Sequence, residues 1–176
     1  MFKIAGFALR GFLLIFGAVV LGLSVTLAKL QKLHDPPTET SFSSFTGAFG
    51  LLVSVIGIAA IFIEKIPSVV VMGADALASI FYLAGGIAMT IALKPVDSCT
   101  SLASADERFN NKLLNGGCVG SGAKKSCYAD DDQTQSSCQK VRADYVFEYL
   151  AFAFGVAMIA TTFFLRRRGS SSTAYV

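Results

Sequence analysis

The sequence has few charged residues: Asp, Glu, Lys and Arg make up 15% of its 176 residues, where a soluble domain has about a quarter. Charge is also absent from long stretches. No charged residue occurs between Arg10 and Lys29, between Glu39 and Glu64, or between Glu148 and Arg166. About 20 apolar residues in a helix cross the hydrocarbon core of a bilayer. The composition therefore excludes an ordinary soluble domain and indicates an integral membrane protein.

Other absences exclude classes of chemistry. The chain has one histidine, His34, which lies in a polar linker, and it contains no Cys-x-x-Cys, no phosphate-binding loop and no nucleophile–base constellation. No Asn-x-Ser/Thr sequon occurs, so nothing indicates glycosylation. We therefore expect no catalytic residue, no cofactor, no metal site and no nucleic-acid partner, and the chain is not expected to be an enzyme.

Four apolar runs predict an all-α, antiparallel bundle of four membrane helices, because only helices or closed barrels satisfy the backbone in lipid and barrel strands are shorter. The expected membrane domain covers residues 1–168, with spans at about 7–30, 42–63, 67–93 and 143–165 and a long loop at 94–140. Helix four is expected to begin around Val141, and residues 169–176 form a short tail. The first run could instead be a signal peptide, but 18 uncharged residues exceed the usual apolar region of about 7–15 and favour a retained span.

Arginines at the end of the fourth span predict the orientation. Arg166, Arg167 and Arg168 follow this span directly, and such clusters lie on the cytoplasmic side. Four spans then place both termini in the cytosol and the loop outside. The other lysines and arginines are more numerous on the loop side, so the cysteines decide between the two orientations.

All four cysteines, Cys99, Cys118, Cys127 and Cys138, lie in the long loop, which suggests an oxidising compartment and disulfide bonds. Three pairings are possible. A bond between Cys99 and Cys138 would join the ends of helices three and four and leave Cys118 to pair with Cys127. Alternatively, one of the two pairs is free.

Small residues form a stripe along helix two. Gly47, Gly50, Ser54 and Gly57 are spaced three, four and three residues apart, so they share one face, and close approach of small residues drives helix association in lipid. Helix one offers Ala18 and Gly22 for the same purpose. The stripe predicts a helix–helix seam, which we place inside the bundle; a seam with a second copy is the alternative.

One acid, Asp75, lies within the third span. No Lys, Arg or His occupies the middle of another span, so Ser54, Tyr82 or a backbone group is the expected hydrogen-bond partner. The third run is longer than one crossing needs, so Asp75 is placed near the cytoplasmic interface, where burial costs little. The alternative is a proton or ion relay, since intramembrane acids mark such sites.

Short motifs add a family resemblance. They are the acid, Leu, Phe and Gly at Asp75, Leu77, Phe81 and Gly86, the pair Ser98–Cys99, and Cys138 before helix four. With four spans and a basic-then-serine tail, the chain resembles the fungal MARVEL-domain proteins and, within them, the non-classical export protein group. The resemblance implies organisation of plasma-membrane lateral domains, including eisosomes, a response to sphingolipids, a role in leaderless secretion and no catalytic residues. The loop, with Cys118 and Cys127, is longer than in that group.

The leading hypothesis is therefore a structural organiser of the plasma membrane. Its expected partners are membrane lipids, including sphingolipid and the anionic inner leaflet, other proteins of the same membrane domains, and further copies of itself. Arg166, Arg167 and Arg168 would hold anionic lipids, and phosphorylation of Ser170, Ser171 and Ser172 would weaken that hold; alternatively the arginines only set the topology. The rival function is a small-solute or ion transporter or channel subunit that uses Asp75, taken as the only ionisable residue well inside a span.

Overall fold

A computed structural model describes residues 2–63, 67–120 and 124–168, and side chains between residues 6 and 164 of those ranges. The elements are α1 (Phe2–Leu30), α2 (Thr38–Phe62), α3 (Ser68–Leu93), α4 (Ala105–Asn110), β1 (Cys118–Val119), β2 (Ser126–Cys127) and α5 (Asp131–Arg168), with one 3-10 turn at Leu102–Ser104.

Four of the helices, α1, α2, α3 and α5, are long and apolar enough to cross a membrane. Uncharged runs make them helical in lipid, and prolines separate them: Pro36 and Pro37 lie between α1 and α2, and Pro67 caps α3. The predicted fold class, an all-α four-helix membrane bundle, is confirmed.

The four long helices pack in a ring. Helix α1 contacts α2 and α5, and α3 contacts the same two helices, so α1 lies opposite α3 and α2 lies opposite α5. Neighbours run antiparallel. We call the end that carries residues 94–130 the loop end and the end that carries Phe2 and Arg168 the tail end.

Helix α5 begins ten residues before the expected start at Val141, so the segment predicted as loop up to residue 140 is partly helical. The reason is local. The Asp130 carboxylate accepts a hydrogen bond from the Gln133 backbone N–H at 2.7 Å, and Asp131 and Asp132 occupy the first turn, where acids stabilise a helix. The 38 residues of α5 extend about 57 Å, so its first turns project beyond the membrane at the loop end.

The long loop folds into a cap on the loop end of the bundle. Leu113 and Leu114 are buried against Leu27 of α1 and Leu93 of α3. Arg108, fully buried, donates hydrogen bonds to the Ser101 carbonyl oxygen and to Asp131, both at 2.7 Å. Satisfied backbone groups and a buried apolar contact hold this segment in place, although its composition is typical of coil.

Two disulfides cross-link the cap. Cys99 is bonded to Cys138, which joins the chain just after α3 to α5 with a Cα–Cα distance of 5.4 Å, and Cys118 is bonded to Cys127 across the β1–β2 pair. Of the three possible pairings, this is the one in which a Cys99–Cys138 bond joins the ends of helices three and four and Cys118 pairs with Cys127. Gly116 and Gly117, with φ of 69° and 93°, let the chain turn here so that Lys32 N–H reaches the Gly116 carbonyl oxygen at 2.9 Å.

Candidate functional site

The bundle interior holds an ion pair between opposite helices near the tail end. The Arg10 guanidinium donates two hydrogen bonds to the Asp75 carboxylate, Nη1 to Oδ1 at 2.5 Å and Nη2 to Oδ2 at 2.7 Å. The two side chains are 2% and 4% exposed. A bidentate pair of this kind is the strongest geometry available to Arg and a carboxylate. It ties α1 to α3 across the bundle axis.

The prediction that Ser54, Tyr82 or a backbone group partners Asp75 is therefore wrong. Arg10 is the ninth residue of α1 and Asp75 is the eighth of α3, and both helices start at the tail end, so the two side chains reach the same depth. The sequence contained this signal. Counting Arg10 as the flank of an apolar run hid it, because α1 begins at Phe2 rather than near residue 7.

A second polar group, the acidic pair Asp144 and Glu148, lies nearer the loop end. Both side chains are 0% exposed. The Asp144 Oδ2 accepts a hydrogen bond from the Ser43 hydroxyl at 2.8 Å, which ties α5 to α2 across the axis. Among the described residues, neither Glu148 oxygen nor Asp144 Oδ1 has a hydrogen-bond partner. The view that Asp75 is the only ionisable residue well inside a span is thus wrong.

Sequence reasoning missed the acidic pair because Glu148 marked the edge of an uncharged run and Asp144 was counted at the start of the span. Residues four apart share a helix face. The signal was therefore the spacing itself: two acids, Asp144 and Glu148, lie on one face of a helix that carries no charge from Tyr149 to Leu165.

Between the ion pair and the acidic pair lies Tyr82, 2% exposed, whose hydroxyl has no partner among the described residues. Next to it is a cavity of about 10 Å³ that is lined by Tyr82, Asp75, Ser54 and Ser79 among others. Ser54 and Ser79 satisfy their hydroxyls within their own helices, by donating to the Gly50 and Asp75 carbonyl oxygens at 2.8 Å. Polar side chains thus follow the axis through most of the bundle.

The small-residue stripe of α2 faces this interior. An added Cβ at Gly47 would come within 2.6 Å of the Leu21 backbone nitrogen, one at Gly50 would overlap the Tyr82 ring, and one at Gly57 would overlap the Arg10 guanidinium. Ser54, on the same face, is 2% exposed. The stripe therefore packs α2 against α1 and α3 and makes room for the polar side chains.

The small residues expected on helix one do not join this seam. Ala18 and Gly22 are exposed, and a Cβ added at Gly22 would meet nothing within 4 Å. On α3, Gly85 lies against Glu148 and Gly86 against the Tyr149 ring. Close packing thus uses Gly17 on α1, beside Tyr82, rather than Gly22.

The structure describes only the backbone of the predicted lipid-binding cluster, which is helical through Arg168. Outside the described residues lie the side chains of Arg166, Arg167 and Arg168 and the whole tail 169–176, which contains Ser170, Ser171 and Ser172. His34 is exposed, with its Nε2 at 2.9 Å from the Cys118 carbonyl oxygen. Across the described ranges, no three His, Cys, Asp or Glu side chains are grouped to hold a metal ion.

The family follows from a comparison with protein-family models. The model of the MARVEL family, a membrane-associating domain, matches residues 3–164. The chain belongs to the MARVEL family. No curated protein and no solved structure matches it significantly. The match covers all four long helices of the MARVEL bundle, and with them both the ion pair and the acidic pair.

Membership in the MARVEL family states the coarse function. The domain associates with membranes. In this MARVEL bundle the polar groups are inward and the large exposed side chains are apolar, such as Leu52, Phe62, Val70 and Ile91. This distribution is the reverse of that in a water-soluble protein and fits a bundle whose solvent is lipid.

Proposed function

We propose that this MARVEL protein is a structural organiser of lateral domains in the plasma membrane, linked to sphingolipid and to eisosomes, and that it supports non-classical export. The observation that carries the proposal is the match of a membrane-associating domain over residues 3–164, on a bundle whose polar side chains are buried in its interior. The outer surface of the bundle would then perform the function, through its contacts with lipid and with neighbouring membrane proteins.

The length of the helices supports a preference for thick membranes. The candidate spans of α1, α2 and α3 have 25 or 26 residues, which is about 38 Å of helix. A tilt of about 20° reduces this to about 35 Å, close to the ~32–33 Å of a sterol- and sphingolipid-rich plasma membrane and well above the ~27 Å of the endoplasmic reticulum. Pairing of Arg10 with Asp75 keeps the tail-end turns of α1 and α3 compatible with lipid.

An aromatic cluster supports contact with the leaflet at the loop end. Phe42, Phe45, Phe49 and Phe81 pack ring against ring, with centroids 5.4–6.4 Å apart, and Phe45 is 51% exposed. Interlocked rings present a rigid apolar surface on α2 and α3. With the termini in the cytosol, as the arginine cluster indicates, this surface lies in the outer leaflet, where sphingolipids are concentrated.

At the other membrane face, Arg166, Arg167 and Arg168 would hold anionic inner-leaflet lipids, at about 1 kcal/mol per charge near the surface. Phosphorylation of Ser170, Ser171 and Ser172 would oppose that attraction. The competing interpretation is that the arginines only set the topology. The geometry offers less to a transporter that uses Asp75, because both oxygens of this carboxylate are occupied by Arg10.

Imaging of the fluorescently tagged full-length protein tests the proposal. We expect static plasma-membrane patches that disperse when sphingolipid synthesis is blocked; a uniform distribution that ignores this treatment would contradict the organiser role. Replacing Arg166, Arg167 and Arg168 by Gln, with replacement by Lys as the charge-matched control, tests the lipid contact. Unchanged clustering in the Gln variant would leave the arginines a topological role only.

A flux assay separates the rival function. Wild-type protein and the Asp75→Asn variant are reconstituted into vesicles that contain an ion-sensitive dye. We expect no flux above empty vesicles for either protein. Flux that requires Asp75 would contradict the organiser function and support the transporter function instead.

A further inference from the structure

We propose that Asp144 and Glu148 form a proton-binding site inside the bundle, in which Glu148 is held as a neutral carboxylic acid. The ligand is one proton taken up from water. This inference does not rest on the organiser function. It rests on two fully buried carboxyl groups, one helical turn apart, with three oxygens that have no hydrogen-bond partner among the described residues.

The first step is that, along the described parts of α1, α2 and α3, no cation faces the acidic pair. Helix α1 is uncharged between Arg10 and Lys29, α2 between Glu39 and Glu64, and α3 between Asp75 and Lys94. The titratable group that α3 turns toward the pair is Tyr82, an acid. Both terminal nitrogens of Arg10 donate to Asp75, near the tail end. Two adjacent carboxylates would therefore bring two uncompensated negative charges into the bundle.

An uncompensated buried charge is so costly that the group takes up a proton instead. Two interacting carboxyls share this cost, so the first proton relieves most of it. Asp144 already has a donor, the Ser43 hydroxyl at 2.8 Å, which favours its charged form. The Ser43 hydroxyl also lies near Glu148, but its hydrogen bond goes to Asp144, and among the described residues neither Glu148 oxygen has a hydrogen-bond partner, so Glu148 is the member that carries the proton.

A protonated Glu148 could also form hydrogen bonds with the unpaired polar groups around it. A protonated carboxyl has one O–H donor as well as acceptor oxygens. Asp144 Oδ1 has no hydrogen-bond partner in the described part of the chain and lies one turn away on the same face of α5. The same holds for the hydroxyl of Thr46, which is 1% exposed. Thr46 lies one turn beyond Ser43 on α2, as Glu148 lies one turn beyond Asp144 on α5. Both helices run from the loop end, so Thr46 and Glu148 are at the same level.

The close packing favours a proton over a metal cation. Glu148 Oε1 lies so near Gly85 that even an added Cβ would overlap it. A metal ion with oxygen ligands needs several of them at once in an open site. Here the carboxylate oxygen is packed against helix α3, and a proton needs no space.

Infrared spectroscopy of the wild-type protein in lipid nanodiscs tests the site directly. We expect the carbonyl-stretch band of a protonated carboxylic acid at neutral pH, its loss on raising the pH, and its absence from Glu148→Gln. The band should persist in Asp132→Asn, which changes an exposed carboxyl in the first turn of the same helix. Absence of the band from the wild-type protein at neutral pH overturns the proposal, whether or not any variant folds.

Labelling with dicyclohexylcarbodiimide, which enters membranes and reacts with protonated carboxyls, is the second test. We expect an adduct on Glu148, with labelling that falls about tenfold per pH unit once the site has lost half its protons. Asp132, exposed in the first turn of the same helix, is the matched control and should stay unlabelled. Equal labelling of Asp132 and Glu148 contradicts the inference. Protection of Glu148 by Na⁺ or K⁺ at constant pH would show a metal-cation site instead.

Discussion

Removing one partner of the Arg10–Asp75 pair should destabilise the protein far more than removing both. Each single change, Arg10→Met or Asp75→Leu, leaves one charge in an interior where the groups are 2% and 4% exposed. Breaking a buried pair costs about 3–5 kcal/mol in soluble proteins, and a charge at the centre of an inserted helix costs about 2.5–3.5 kcal/mol. We expect each single variant to lose about 3 kcal/mol, which lowers the folded-to-unfolded ratio about a hundredfold.

The double variant should fall within about 1 kcal/mol of the wild type or exceed it, because apolar residues of similar volume need no desolvation. A double-mutant cycle then gives a coupling energy between positions 10 and 75 of about 5–6 kcal/mol, which is the sum of the two single losses less the small loss of the double variant. The assay is equilibrium unfolding in mixed micelles titrated with sodium dodecyl sulfate and followed by near-ultraviolet circular dichroism.

The surface pair Lys112–Glu39, with an exposed lysine (64%) and a half-buried glutamate (22%), is the control cycle and should show a coupling of about 1 kcal/mol or less. The reasoning is refuted if the two single losses at Arg10 and Asp75 simply add in the double variant. It is equally refuted if each single variant is as stable as the wild type.

Two further comparisons, each between two variants, probe the packing and the cap. Gly57→Ala should cost about 1–3 kcal/mol in the same titration, because the new methyl overlaps the Arg10 guanidinium, whereas Gly22→Ala, with nothing within 4 Å, should cost nothing; equal effects would contradict the packing. Replacing the Cys99–Cys138 bond by two serines should cost about 4 kcal/mol and replacing the Cys118–Cys127 bond about 3 kcal/mol, from sequence separations of 39 and 9 residues. A larger loss from the shorter bridge would show that chain entropy does not set the order.

The number and type of the long helices were predictable because they follow from run length alone. Lipid offers no alternative hydrogen-bond partner to the backbone, so an uncharged run of sufficient length becomes a helix. The stripe from Gly47 to Gly57 was predictable for a related reason: close helix approach needs small residues in one row. Its neighbours were not, and the choice of Gly22 on helix one was wrong because a single small pair does not specify a face.

Uncharged runs could not predict the side-chain pairs across the axis, because a span defined by the absence of charge places every charged residue at its boundary. Arg10 and Glu148 each sit at the edge of such a run, and both are buried. Whether a flanking charge is inside depends on where the helix starts and on what lies opposite at the same depth. The length of an uncharged run gives neither the first residue of the helix nor the residue that faces it in the folded bundle. The fold of the cap was missed for a similar reason: Arg108 and Leu114 are held by contacts with distant segments, which local composition does not reveal.

The two polar contacts across the bundle axis should hold the helices together more firmly at the tail end than at the loop end. At the tail end, α1 and α3 are joined by a pair whose charges are mutually neutralised. At the loop end, α2 and α5 are joined by one hydrogen bond, between Ser43 and Asp144, beside a carboxyl whose charge depends on a proton. Loss of that proton should loosen the packing of α5 against α2 at this level, because the uncompensated buried charge is stabilised only when water reaches it. The Cys99–Cys138 bond fixes α3 to α5 just above it, so the helices can loosen there without separating. It follows that reducing this disulfide should enlarge any effect of alkaline pH on stability, and should do so only while Glu148 is present.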